Sequence, residues 1–455
     1  MALMISVKLG RTEAQSLALK AQEQAKRLHA RFTGVPPSRA VLEQLTNLLE
    51  ADRVVDAAFV AMQNSHFYQV VLFNLFSGAS NVSGNADIEL NDFTALVLGL
   101  IRDNERFDQV LYGDVFYTAN DETMTYNVNF SGVTTPVNLN GAAFPLVRNA
   151  DGTNDFNQNP PANRVRPPFR LADTNNASNI RYDDNNHYVD LQRLSNWIDL
   201  LQKRSQASTY GFLNPDQRPV AEDIAGALTT RHFGSEFMNM GTNRRAFRFT
   251  AKNFLCKDME QLADSSAPDF RARQDVDRSP GGNSLNFKAK CAGCHAGMDS
   301  FAGAFAYFDY VNGRLAYNRN ALQNNNNKQF RQSNVYPEGF RLQNNSWINV
   351  WNRGPNLSLG WRTPSTGAID QGIGAKALGS ALAATEQFGN CMAQKAFQRI
   401  CFRSPTPAEE NQLEDLAREF ELGWSELSSY NASNPYNMRA LFAQVSSLCF
   451  GVGGP

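Results

Sequence analysis

Lys290-Cys291-Ala292-Gly293-Cys294-His295-Ala296-Gly297-Met298-Asp299 is the stretch on which the reading of this chain turns. It contains CxxCH, the signature of covalent haem attachment. Thiols three positions apart lie on one side of a helical turn, where both can add to the vinyl groups of one porphyrin. The imidazole of His295 is then carried under the iron as proximal ligand. At the Cys and His frequencies of this chain, chance would supply such a pentapeptide about once in a thousand chains. Cys291, Cys294 and His295 are therefore read as the site of one covalent haem c.

Two other uses of a CxxC pair are weaker. A structural zinc site wants four ligands, usually with a second Cys or His pair at short spacing, and none accompanies this one. A thioredoxin-like pair belongs at a strand-to-helix junction in a βαβ unit, whereas Pro280, Gly281 and Gly282 lead in here and no parallel-sheet pattern follows.

The opposite face of the iron decides between electron transfer and oxygen or peroxide chemistry. Met298 lies one helical turn from His295, on the same side of the porphyrin, and is not a candidate for that face. The segment from Arg231 to Gly241 gathers His232, Met238 and Met240 in a His-poor chain, and the distal ligand is placed at Met240 with His232 as alternative. Core filling by both methionines is the competing reading. Met392 and His187 come next. Arg244 and Arg245 suit haem propionates, with surface ion pairing as the alternative.

Working outward, the pattern predicts a mainly α fold, with helical N- and C-terminal regions around a loop-rich centre holding a few short strands and the haem site. Residues 1–110 read as a helical region, broken at Thr33-Gly34-Val35-Pro36-Pro37-Ser38 and with a later helix from about Asn91 to Arg102. His66, between apolar faces, reads as a hydrogen-bonded core histidine. Residues 111–186 form a loop-rich insertion, with strands expected at Val115 to Tyr117 and Thr125 to Phe130. Its Asp151–Asp155 and Asp183–Asn186 runs lack the full calcium-loop spacing and read as solvated loops. The haem region spans 187–375, with helices expected at His187 to Gln206, Ala221 to Leu228 and Asn243 to Leu262. Trp347, Trp351 and Trp361 follow the motif and read as packing beneath loops more readily than as a haem crevice or a sugar platform. A C-terminal bundle occupies 376–455, with three helices expected and the middle one opened by Thr406-Pro407-Ala408-Glu409, an N-cap, a first-turn proline and a capping-box Glu.

A net charge of -1 without a long basic run points to no nucleic-acid partner, and no apolar stretch approaches the roughly 18 residues of a spanning helix. Haem attachment through CxxCH takes place outside the cytoplasm, so a secretory leader is expected. Met1 to Leu9 lacks a basic n-region and is too short, which places the leader outside this numbering. Four more cysteines, Cys256, Cys391, Cys401 and Cys449, fit two disulfides in an oxidising compartment. On one continuous helix Cys391 and Cys401 would stand about 15 Å apart, too far to bond. An up-down-up bundle brings Cys401 level with Cys449 and leaves Cys256 for Cys391.

The order of residues after the motif resembles a large group of secreted monohaem c-type cytochrome-like proteins, abundant in planctomycetes and some proteobacteria and mostly of unknown function. That group follows CxxCH with Asp, Gly and Phe-Asp, matched here by Asp299, Gly303 and Phe308-Asp309. Its usual Pro after the Asp is Ser300, and Gly303 sits one place late, with Ala302 where the Gly is expected. Arg31 to Pro37, Phe388 to Cys391, Cys401 to Pro405 and Leu441-Phe442 are similar to further segments of the group. The resemblance implies a secreted monohaem protein of the bacterial periplasm or cell surface, and no particular reaction.

The function expected is electron transfer through haem bound at Cys291 and Cys294, with a redox partner protein. The alternatives are a haem-dependent oxidase or peroxidase, and a cell-surface assembly or carbohydrate-binding protein with structural haem, for which an oligomer is allowed.

Overall fold

The computed structural model describes residues 20–86, 88, 91–119, 125–130, 133–138, 191–194, 219–239, 243–268, 284–311, 314–319, 342, 344–364 and 367–450. The fold is mainly helical with a few short strands. Two compact units are formed, one from Met1–Leu75, Leu100–Phe107 and Gly389–Pro455, the other from Phe76–Gly99 and Asp108–Phe388. The helical ends of the chain, separate in sequence, thus share one unit.

In that first unit, α1 (20–33) is followed by α2 (Arg39–Glu50) and α3 (Val54–Ala61). The expected break between α1 and α2 is present, and Ser38 caps α2 by accepting from the Val41 N–H at 3.3 Å. Leu45 and Leu49, one turn apart, are the buried positions of α2. Phe67, in the π-helical turn Phe67–Leu72, meets Phe442 edge-on at 5.6 Å, and Phe59 stacks on Tyr430 at 4.1 Å. The Tyr430 hydroxyl donates to Asp56. His66 departs from expectation: its ring Nδ1 is buried without a partner. The buried, bonded histidine is His29, whose Nδ1 donates to the Val35 carbonyl at 2.8 Å.

The second unit contains α4 (Asp92–Arg102) in its greater part, α5 (Arg231–Phe237), α6 (Arg244–Phe254), α7 (Ser284–Lys290), α8 (Ala292–Ala302) and α9 (Gly374–Ala383). Among the described residues its strands form four antiparallel pairs. They are β1 (Phe116–Ala119) with β4 (Leu191–Leu194), β2 (Thr125–Phe130) with β3 (Val133–Asn138), β5 (Phe308–Val311) with β6 (Arg314–Tyr317), and β7 (Ser346–Ile348) with β8 (Gln371–Ile373). Buried Asp223 accepts from the Tyr317 hydroxyl and from Asn345 Nδ2, the latter at 2.6 Å, and so ties β6 to the approach to β7.

Four expectations are corrected. Residues 191–194, within the helix expected from His187 to Gln206, are a strand, because pairing with β1 satisfies their backbone; the rest of that stretch lies outside the described residues. Ala221 to Leu228 holds two short 3-10 turns, Ala221–Asp223 and the start of Gly226–Thr229, rather than an α-helix, since Ile224 at ψ 118° and Ala225 at ψ 59° leave helical geometry between them. Among the described residues four α-helices, not three, follow residue 373: α9, α10 (Glu386–Cys401), α11 (Pro407–Leu422) and α12 (Met438–Phe450). Thr385 separates the first two, its hydroxyl accepting from the Phe388 N–H at 3.3 Å. The helix expected to reach Leu262 ends at Phe254, just before Cys256 at φ 51°.

The capping box at Thr406 and Glu409 is present, with Pro407 as first helical residue. Cys391 and Cys401 lie on α10 and do not bond each other. Cys401 bonds Cys449 with Cα atoms 5.6 Å apart, and Cys256 and Cys391 are disulfide-bonded as well. Among the described residues no helix is long and apolar enough to cross a membrane. The Asp151–Asp155 and Asp183–Asn186 runs lie outside the described residues.

Candidate haem site

Helix α7 leads straight into the motif, with the Cys291 N–H bonded to the Phe287 carbonyl at 2.8 Å and the His295 N–H to the Cys291 carbonyl at 3.0 Å. This helical course gathers Cys291, Cys294, His295 and Met298 on one side, and all four are partly exposed. Ala296, Gly297, Ser300 and Phe301 occupy the buried side. There Gly297 admits the Trp351 indole so closely that a Cβ would stand 2.3 Å from its Nε1. Phe247 and Phe301 flank the same indole at 5.4 and 5.1 Å, and Phe301 also meets Trp347 and Trp361. The tryptophans therefore pack behind the motif helix, as expected of residues beneath loops.

Asp299 sits one turn after His295, its side chain only 4 % exposed, with Oδ2 3.4 Å from the imidazole Nδ1. Arg244 grips the same carboxylate through Nε and, at 3.0 Å, Nη2. Burial works to raise the Asp299 pKa, but Arg244 and His295 outweigh it and hold the carboxyl below its usual range. Arg244 is presented by Asn243, which caps α6 in the left-handed region at φ 57°. Asn243 Nδ2 donates to the carbonyls of Phe305 and Phe308, each at 2.8 Å, fastening α6 to the chain that leaves the motif. The ring of Phe287 lies edge-on to His295 at 5.4 Å.

Cys291 and Cys294 are free thiols, whereas the other four cysteines are disulfide-bonded. The Cys294 thiol points at the Met259 carbonyl, 3.4 Å away, and burial pushes its pKa up. This donor set fits haem c: two unspent thiols and one imidazole share an accessible helical face, and the imidazole's Nδ1 faces Asp299, leaving Nε2 for iron. Among the described residues no group of three or more His, Cys, Asp or Glu side chains is placed to hold a metal ion by itself, so a four-ligand zinc site is not formed there.

The other predicted residues are less closely gathered. Arg244 reaches the site through Asp299, and Arg245 Nη1 donates to the Glu236 carbonyl at 3.4 Å. His232 opens α5, its backbone N–H bonded to Asp92 Oδ1 at 3.0 Å. Its Nε2 is buried without a partner, and burial, with the nearby Arg231 charge, pushes its pKa down to about 3. No hydrogen bond, ion pair or ring contact joins His232 to the motif among the described residues. Met238 is fully buried. Met240 and His187 lie outside the described residues, and Met392 is buried in the other unit. Asp299, Asn243 and Phe287 were not assigned these contacts from sequence. Only the Asp299 contact had a local signal, the four-residue spacing from His295 on a helix.

Compared with known proteins, the chain matches no family model, no curated protein and no solved structure.

Proposed function

We propose that this chain is a monohaem c-type cytochrome of an extracytoplasmic compartment that passes electrons to a redox partner. The observation that carries the reading is the pairing of two free thiols with an imidazole on one accessible helical face, in a chain whose remaining cysteines are disulfide-bonded. Cys291 and Cys294 would hold the haem through thioether bonds, each S–H adding across one vinyl group, and His295 would offer Nε2 to the iron; Phe287 and Asp299 restrain its ring. When bound, haem supplies a one-electron iron couple. Of the candidates for the other side of the haem, His232 lies among the described residues, with its Nε2 buried and without a partner. The resemblance to the planctomycete-type group supports the same reading through Asp299, Gly303 and Phe308-Asp309.

Extraction with acidified acetone tests the attachment. Colour that stays with the protein, and a haem adduct on the peptide holding Cys291 and Cys294, is the expected result; haem released into the solvent would end the proposal. The carboxylate behind His295 also favours a second reading, haem peroxidase or oxidase chemistry, because it makes the proximal ligand more basic. Carbon monoxide decides between them: a reduced spectrum unmoved by the gas supports the carrier, and rapid binding supports the enzyme.

A further inference from the structure

We infer that Asp299 is a positioning residue that sets the iron's reduction potential through His295, an inference that rests on the haem reading above. Metal-bound histidines commonly donate their second ring nitrogen to a carboxylate, which fixes tautomer and ring orientation and raises ligand basicity. Asp299 stands where that partner belongs, one helical turn on and 3.4 Å from Nδ1. The carboxylate is itself held from behind. Arg244 engages both of its oxygens, and Asn243 anchors the start of the arginine's helix to the Phe305 and Phe308 carbonyls.

The consequence for the iron has a definite sign. A carboxylate that accepts the Nδ1 proton shifts electron density towards Nε2, and a more basic Nε2 favours ferric over ferrous iron. The charge acts with little solvent screening, because the Asp299 side chain is 4 % exposed. Arg244, bonded to both oxygens, holds the plane of the carboxylate while offsetting part of its charge. Asp299 thus lowers the potential relative to a neutral side chain of the same shape.

The test compares the full-length haem-loaded protein with its Asp299→Asn and Asp299→Glu forms. Asp299→Asn should raise the midpoint potential and move the His295 Nδ1 proton resonance of the reduced protein upfield, and Asp299→Glu should return both towards wild type. A merely structural role would leave that resonance in place. Haem bound in both proteins with unchanged potential and resonance overturns the role of Asp299 alone, whereas wild-type protein without covalent haem overturns the haem reading too. Should Asp299→Asn fail to fold, the wild-type resonance decides: a low-field proton shared with a carboxylate supports the inference, and a position typical of an imidazole bonded to a backbone carbonyl overturns it.

Discussion

Replacing Gly297 by Ala sets two effects of opposite sign against each other on the motif helix. In an ordinary helix interior Ala is favoured over Gly by about 1 kcal/mol. Here the new Cβ would stand 2.3, 2.4 and 2.5 Å from Nε1, Cε2 and Cζ2 of Trp351. Comfortable carbon contacts lie at roughly 3.5–4.0 Å, so the indole or the helix must retreat by more than ~1 Å. Trp351 is 1 % exposed and flanked by Phe247 and Phe301, which leaves it no open space to enter. Overpacking costs about 1–3 kcal/mol, and a rigid buried ring belongs at the upper end. The clash therefore wins, for a net loss of about 2 kcal/mol, to be read from the urea midpoint at constant slope. Trp351→Phe removes the five-membered ring from the overlap, so the double variant should lose less than the sum of the singles by about 1 kcal/mol or more. A Gly297→Ala protein as stable as wild type, or strictly additive losses, would refute the packing argument.

Asn243→Ala removes two bonds to carbonyls at 2.8 Å and forces Ala into a φ of 57°, for a loss of about 3 kcal/mol. Asn243→Gly avoids the backbone strain and should cost about 1 kcal/mol less; equal thermal shifts would show that the left-handed conformation contributes nothing. Bonds from Arg403 and Thr406 hold the Glu409 carboxyl down to about 2, below its ordinary 4.5. Between those values the unfolded chain binds a proton that the fold does not. The stabilisation is therefore complete above pH 4.5 and is lost as the pH falls towards 2. Glu409→Gln should flatten that part of the acid limb and cost about 1 kcal/mol at neutral pH; an unaltered limb in a denaturation series would count against it.

What could be read from sequence was what local chemistry decides. The break from Thr33 to Ser38 and the Thr406–Glu409 box fix helix ends with residues a few positions apart. The Cys401–Cys449 bond was legible because the fixed rise of a helix separated Cys401 from Cys391 and an up-down-up bundle brought Cys401 level with Cys449. Distant partners hid the rest. Leu191–Leu194 becomes a strand only because Phe116–Ala119 lies beside it, and a helical pattern in the window carries no trace of that pairing. At the site, the CxxCH spacing announced that Cys291, Cys294 and His295 share one helical face, but Arg244 and Asp299 meet across 55 positions. Arg244 was read towards haem propionates or ion pairing, and the structure gives it an ion pair whose partner, a carboxylate on the motif helix, the sequence did not indicate.

The first unit joins residues made at very different times. Tyr430 bonds Asp56 across 374 positions, and Phe442 meets Phe67. At about 5–20 residues per second, translation of such an interval takes roughly 20 to 75 s. Throughout that wait Phe59 and Phe67 lack the C-terminal rings that meet them in the finished fold, while the intervening unit already has its own chain in hand. The apolar faces of α3 and of the π-helical turn Phe67–Leu72 are thus what a newborn chain must keep from wrong partners. A nascent chain halted before α12 should be captured by holdase chaperones through these N-terminal helices rather than through the segment bearing the CxxCH motif.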